Sequence, residues 1–173
     1  MAVATLQWSP HAGAPGDGSA SNAGPALLNL AGTEANPKKP LLIASFDAAT
    51  QEHLWFQGRM PDDFKEIPIV KLLWMALSKE AQKVVWGARL GAITPTDADT
   101  PVEHAEAEAV TATVEVNTAE ARRLITTTIE PKLDSIAAGD FFELLVFREA
   151  ASGSDTLAVD AELLSVALTY TTT

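Results

Sequence analysis

The feature that most constrains the fold of this chain is a hydrophobic alternation of period two that recurs along it. In VTATVEVN, Val110, Ala112, Val114 and Val116 alternate with Thr111, Thr113, Glu115 and Asn117. That spacing places one set on each face of a β-strand. In VVWGARLGAI, Val84, Trp86, Ala88 and Leu90 alternate with Val85, Gly87, Arg89 and Gly91. Near the end of the chain Leu164, Val166, Leu168 and Tyr170 repeat the pattern. PLLIASF, HLWFQGRM, IPIVKLLWMAL, RRLITTTIE and DFFELLVFREA are short, rich in β-branched or aromatic residues, and separated by turn residues. Eight or nine antiparallel strands with almost no helix predict an all-β fold, a β-sandwich of the jelly-roll type. Trp86, Leu90, Val114, Leu144 and Leu168 are expected between its two sheets.

Helical candidates are few. SKEAQK, TAEARRL and PDDFKEI each supply one turn at most, and none has an apolar stripe long enough for a packed helix. TLAVDAELLSVAL runs against the assignment, because Ala, Glu and Leu favour helix. Its continuation into TYTTT decides for strand. The chain of 173 residues suits one domain. Residues 40–173 are expected to form the sandwich, and residues 1–39 an N-terminal strand (VATLQW) followed by a flexible arm or loop. The stretch Ser9 to Pro25, SPHAGAPGDGSASNAGP, is too poor in large apolar groups to offset its ordering entropy. ALLNLAG reads as a brief ordered segment before the turn-rich TEANPKKP.

Charge narrows the partners. A net charge of −11, with Lys38-Lys39 and Arg122-Arg123 the adjacent basic pairs, lacks the footprint that phosphate binding needs, so no nucleic acid is expected. The chain has no cysteine, which excludes disulfides and thiolate metal sites. The opening MAVATLQWSP has neither a basic n-region nor an apolar h-region, and no apolar run reaches membrane-spanning length. A soluble protein made in a cytoplasm, without a membrane partner, is expected.

The acid-rich stretch Ala92 to Val110 is the first candidate for chemistry. Asp97-Ala-Asp99 resembles the start of an EF-hand loop, yet Thr100 and Pro101 follow where a third oxygen ligand and a glycine belong. His104 has only Glu103 and Glu106 as neighbours of ligand type. A solvated loop is the reading, with no metal. His11, His53 and His104 occupy unrelated contexts, no Gly-x-Ser-x-Gly elbow is present, and GDGSASNAG lacks the lysine of a phosphate loop. No catalytic residue, cofactor or metal ligand is therefore assigned, and the chain is expected not to be an enzyme. Of the four tryptophans, Trp8, Trp55, Trp74 and Trp86, three lie in apolar strands, where core packing is the first reading. An exposed tryptophan would instead line a sugar-binding face or a subunit contact. The sequence does not separate these two.

The order LQWSP, PLLIASFDAATQEHLWFQGRMP, VVWGARLGAITPTDADTP, SIAAGDFFELLVFREA and DTLAVDAELLSVALTY resembles a family of small virion proteins of tailed phages. The family pattern runs from W-x-P through FD-x-x-T-x-E, V-W-x-x-x-x-x-A-I-T and a GD segment to D-A-E-L-L, across nearly the whole chain. This resemblance implies a β-sandwich structural protein on the capsid surface of a virion, a decoration or cement protein that stabilises the head. The partners it implies are the major capsid protein and further copies of the chain in a homotrimer. The alternative is a tail or fibre module that binds a host surface glycan. The Gly/Ser-rich insertion at Ser9 to Pro25 and the acidic 94–121 segment depart from the family pattern.

Overall fold

A computed structural model describes residues 2–31, 40–78, 81–95, 107–116 and 121–173. Within them the chain forms β1 (Val3–Trp8), a single 3-10 turn (Pro10–Ala12), β2 (Ala14–Pro15), β3 (Ala26–Ala31), β4 (Pro40–Phe46) and β5 (Glu52–Arg59). It continues with β6 (Phe64–Ala76), β7 (Gln82–Ile93), β8 (Val110–Val116), β9 (Ile125–Ile129), β10 (Phe141–Arg148) and β11 (Ala161–Thr172). The fold is all-β. Sheet I has the order β3-β4-β11-β6-β9 with β1 also on β11, and sheet II the order β2-β5-β10-β7-β8. Every pairing between named strands is antiparallel. This is the expected β-sandwich of jelly-roll type, with eleven strands among the described residues where eight or nine were anticipated.

The alternation read from the sequence is what builds the interior. Leu54 and Phe56 of β5, Val84, Trp86, Ala88 and Leu90 of β7, and Phe142, Leu144 and Val146 of β10 face inward from sheet II. They meet Val70, Leu72 and Trp74 of β6 and Leu163, Val166 and Leu168 of β11 from sheet I. Trp86 is held edge-on between two rings, with centroids 5.1 Å from Phe46 and 5.7 Å from Trp74. The Trp74 indole N–H donates to Thr127 Oγ1 at 2.8 Å, which satisfies a donor that burial would otherwise strand. Of the five residues expected inside, Trp86, Leu90, Leu144 and Leu168 are fully buried. Val114 is only half-buried, because β8 is the edge strand of its sheet, although it still packs against the core.

The described residues ahead of Pro40 are woven into both sheets. β1 pairs with β11, β2 with β5, and β3 with β4. Ser9 to Pro25 runs through the 3-10 turn and β2 into a tight turn, where Gly18 N–H donates to Asn22 O and Asp17 Oδ1 accepts from Ser19 N–H. The helix-favouring AELL joins the middle of sheet I, because Ala161–Leu163 finds β4 on one side and β6 on the other. Ladder hydrogen bonding on both sides outweighs propensity there.

One buried ion pair locks the end of β10. Arg148 lies on the inner face with Leu144 and Val146 and is fully buried. Its Nε and Nη2 donate to the two oxygens of Asp155 at 3.0 and 2.8 Å. Nη1 donates to Phe46 O and Val159 O, and Nη2 also to Leu157 O. Asp155 Oδ2 accepts a further bond from Val85 N–H. Every guanidinium donor thus has an acceptor, the condition under which a buried charge is tolerated.

Candidate functional site

The same alternation that buries Leu54 and Phe56 turns their neighbours to the outer face of sheet II. On β5 these are His53, Trp55, Gln57 and Arg59; on β10, Phe141, Glu143, Leu145 and Phe147; on β7, Val85, Gly87, Arg89, Gly91 and Ile93. Strand register arranges them in rows. Leu145 stands opposite both Trp55 and Arg89, Phe147 opposite His53 and Gly87, and Glu143 opposite Gln57 and Gly91.

In the central row, Trp55 and Arg89 close over Leu145 from either side. The Arg89 guanidinium carbon lies 5.8 Å from the Trp55 ring centroid, a cation–π contact. Leu145 is buried beneath them although it points outward, and Trp55 itself stays partly exposed. In the next row the Gln57 amide donates to a Glu143 carboxylate oxygen, which fixes a planar amide beside a planar acid. On the other side, the tip of the Phe147 ring lies against Gly87, where an added Cβ would overlap it. His53 packs on that ring at 5.9 Å. The His53 backbone is pinned by Ala23 O at 2.7 Å and by Gly16 N–H at 3.0 Å. Burial, reinforced by the nearby Arg89 charge, lowers the His53 pKa, so the ring is neutral near pH 7. Its buried Nδ1 has no hydrogen-bond partner.

This face has one partly exposed indole, a guanidinium, an amide and a carboxylate on adjacent rungs of rigid strands. It offers an aromatic and aliphatic surface bordered by directional donors and acceptors.

The other residues singled out in the sequence lie elsewhere. Trp74 and Trp86 are core residues, and Trp8 packs at the core edge on Phe56 and Phe142. Trp55 alone of the four points away from the interior. The signal was present in HLWFQGRM: once Leu54 and Phe56 face inward, Trp55 must share a face with His53 and Gln57. His11 Nε2 sits 3.1 Å from both Leu28 O and Ile43 O on the β3–β4 hairpin of sheet I, far in sequence from His53. Asp97, Asp99, Glu103, His104 and Glu106 lie outside the described residues. From the same acidic stretch, the exposed Glu108 pairs with Lys132. Among the described residues no group of three or more His, Asp or Glu side chains is placed to hold a metal ion, and no helix is long and apolar enough to cross a membrane.

No family model and no curated protein matches the chain. Solved structures do. An exo-β-1,3-galactanase from Phanerochaete chrysosporium, determined with galactose, aligns with 95% of this chain at a TM-score of 0.51 and 10% identity. This chain spans only 29% of that protein's length. A xylan-binding module, CBM15, aligns over 99% of both chains at a TM-score of 0.50 and 10% identity. These likenesses are of fold: a jelly-roll β-sandwich. They correct the expectation of a capsid decoration protein that stabilises the head. The fold-sharing structures are a xylan-binding module and a galactanase, and no phage family matches. A structure of infectious bursal disease virus aligns at a TM-score of only 0.35, too low to rescue that expectation.

Proposed function

We propose that this protein is a non-catalytic carbohydrate-binding module, and that an uncharged polysaccharide lies across the outer face of sheet II with a sugar ring on Trp55. The observation that carries the proposal is Trp55 itself, partly exposed at the centre of a strand face while two other tryptophans are fully buried. A pyranose ring presents a face of C–H groups that covers an indole, and its equatorial hydroxyls radiate in the ring plane. An aromatic platform removes the apolar face from water, and polar groups around it recognise the hydroxyls. Gln57, Glu143 and Arg89 stand one row away or on the same row, with donors and acceptors of both kinds.

Strand-borne side chains lose little freedom on binding. The Arg89 contact and the Phe147–Gly87 packing hold the platform before the ligand arrives, which lowers the entropic cost of association. The net charge of −11 repels acidic polysaccharides at long range, so neutral chains are the preferred class. The printed names of the fold-sharing structures, a xylan-binding module and a galactanase determined with galactose, support a glycan as ligand without naming which.

Native affinity electrophoresis against soluble neutral polysaccharides, including xylan and a β-1,3-galactan, tests the proposal. Retardation by at least one neutral polysaccharide, with none by an acidic one of similar length, is the expected result. Unretarded migration through every gel contradicts it.

A further inference from the structure

The exposed edge of sheet I points to a second activity of the molecule, self-association. β4 stays beside β11 only through Ala44, Ser45 and Phe46, opposite Leu163, Glu162 and Ala161. β11 then carries a bulge between Leu163 and Ser165, and from Val166 onward its partner on that flank is β1. The β3–β4 hairpin therefore leaves the sheet as a two-stranded ribbon, in register from Ala26↔Ser45 to Ala31↔Pro40. The 3-10 turn at Pro10–Ala12 fills the angle, with His11 over Leu28 and Ile43.

The ribbon is apolar on both faces. Leu28 is 44% exposed on one and Leu42 49% exposed on the other. Among the described residues β3, ALLNLA, is its outer edge, and it has no charge, proline or glycine in six residues. Two of the remaining edge strands use the usual protections against pairing: β2 is two residues long and ends in proline, and β8 presents Glu115. β1 and β9 also have no charge, proline or glycine, but they expose mainly polar groups, Thr5 and Gln7 beside Val3 on β1 and Thr126 and Thr128 on β9. The β3–β4 ribbon instead exposes a leucine on each face.

We infer that β3 pairs antiparallel with β3 of a second copy of this chain, extending sheet I across a two-fold axis into a homodimer. A two-fold axis perpendicular to the sheet keeps like faces together, so it must pass through a residue of β3. With the axis at Leu28, Leu28 meets Leu28 of the other copy, Leu27 meets Asn29, and Ala26 meets Leu30. No charged residue stands opposite another. For a chain of net charge −11, the uncharged side chains of β3, with the Arg122 guanidinium at Ala31 O as the charge beside them, let two copies approach at low electrostatic cost. The arrangement is isologous and closes at two copies. It is also independent of glycan binding, since β3 and Trp55 belong to different sheets.

Sedimentation equilibrium of the full chain over a wide concentration range, without any glycan, is the test. The expected mass is twice 18.3 kDa, falling to 18.3 kDa in Leu28→Lys, which sets like charges face to face at the axis. Leu28 is exposed, so the variant should keep the wild-type melting temperature, and that is checked in parallel. Hydrogen exchange supplies a second readout: amides of Ala26–Ala31 should be slowed in the wild type at high concentration and not in the variant. A wild-type monomer at every concentration overturns the inference. So does a dimer that survives Leu28→Lys with β3 exchanging freely. A mass of three chains overturns it in favour of a trimer.

Discussion

Replacing Asp155 by Asn probes the packing beneath the proposed binding face, because the Arg148–Asp155 pair fixes the end of the strand that bears Leu145 and Phe147. The side chains of Arg148 and Asp155 are 0% and 1% exposed, so water cannot compensate a lost partner. Asp155 accepts from Arg148 Nε at 3.0 Å, Arg148 Nη2 at 2.8 Å and Val85 N–H at 3.0 Å. Asn keeps one acceptor oxygen and turns the other position into an NH₂ that points a donor at donors. The guanidinium charge stays buried against carbonyls alone. Removing one partner of a buried pair costs about 3–5 kcal/mol. Total stabilities of such domains run to about 5–15 kcal/mol. At about 2–4 °C per kcal/mol for a chain of this length, the melting temperature should fall by about 6–20 °C. Urea denaturation followed by tryptophan fluorescence measures the loss. Asp62→Asn serves as the control, since Arg59 and Asp62 form a pair 65% and 81% exposed, and it should leave the urea midpoint unchanged. A cost below about 1 kcal/mol for Asp155→Asn, the scale of an exposed pair, would refute the argument.

Gly87→Ala should destabilise by about 1–3 kcal/mol, the usual penalty of overpacking, because the new Cβ must displace the Phe147 ring. Chemical denaturation reads the cost, and the ring signals of Phe147 and His53 should shift together by NMR. Glu162→Gln should stabilise at neutral pH. Glu162 is buried on the outer side of sheet I, its Oε2 has no partner, and burial raises its pKa above the ordinary 4.5. A carboxyl whose folded pKa is raised contributes its full stability below the unfolded value and loses it as pH rises through the folded one. The variant should therefore melt above wild type at about pH 7.5, with the gap closing toward about pH 4; a gap independent of pH would contradict the assignment.

The strands with clean alternation were legible in the sequence, and they are the ones that carry the core. In β7 and β8 the apolar phase alone gives the inward face, because each packs one side against the opposite sheet. β2 and β3 were not legible as strands. Ala14–Pro15 and Ala26–Ala31 have no period of their own, and only their neighbours β5 and β4 make strands of them. Arg148 also escaped notice, although the phase of FFELLVFR places it inside with Leu144 and Val146. A charge at an inward position implies a buried partner, but the sequence does not say that Asp155 is that partner until the following loop is folded back. The site failed to show for a related reason: Trp55 among apolar neighbours reads as core by composition, while its phase in β5 puts it outside. The motifs that resembled a phage virion family lie largely on strands of the sandwich, and one fold hosts many functions.

The claim that Trp55 is the platform for a glycan is tested most directly by isothermal titration of wild type and Trp55→Ala with the neutral polysaccharide that retards the wild type. An aromatic anchor at the centre of a binding face is worth about 2 kcal/mol or more, so the variant should bind at least about 30-fold more weakly. Its melting temperature should remain close to wild type, since the indole is partly exposed. Unchanged affinity in a folded Trp55→Ala protein would contradict the account.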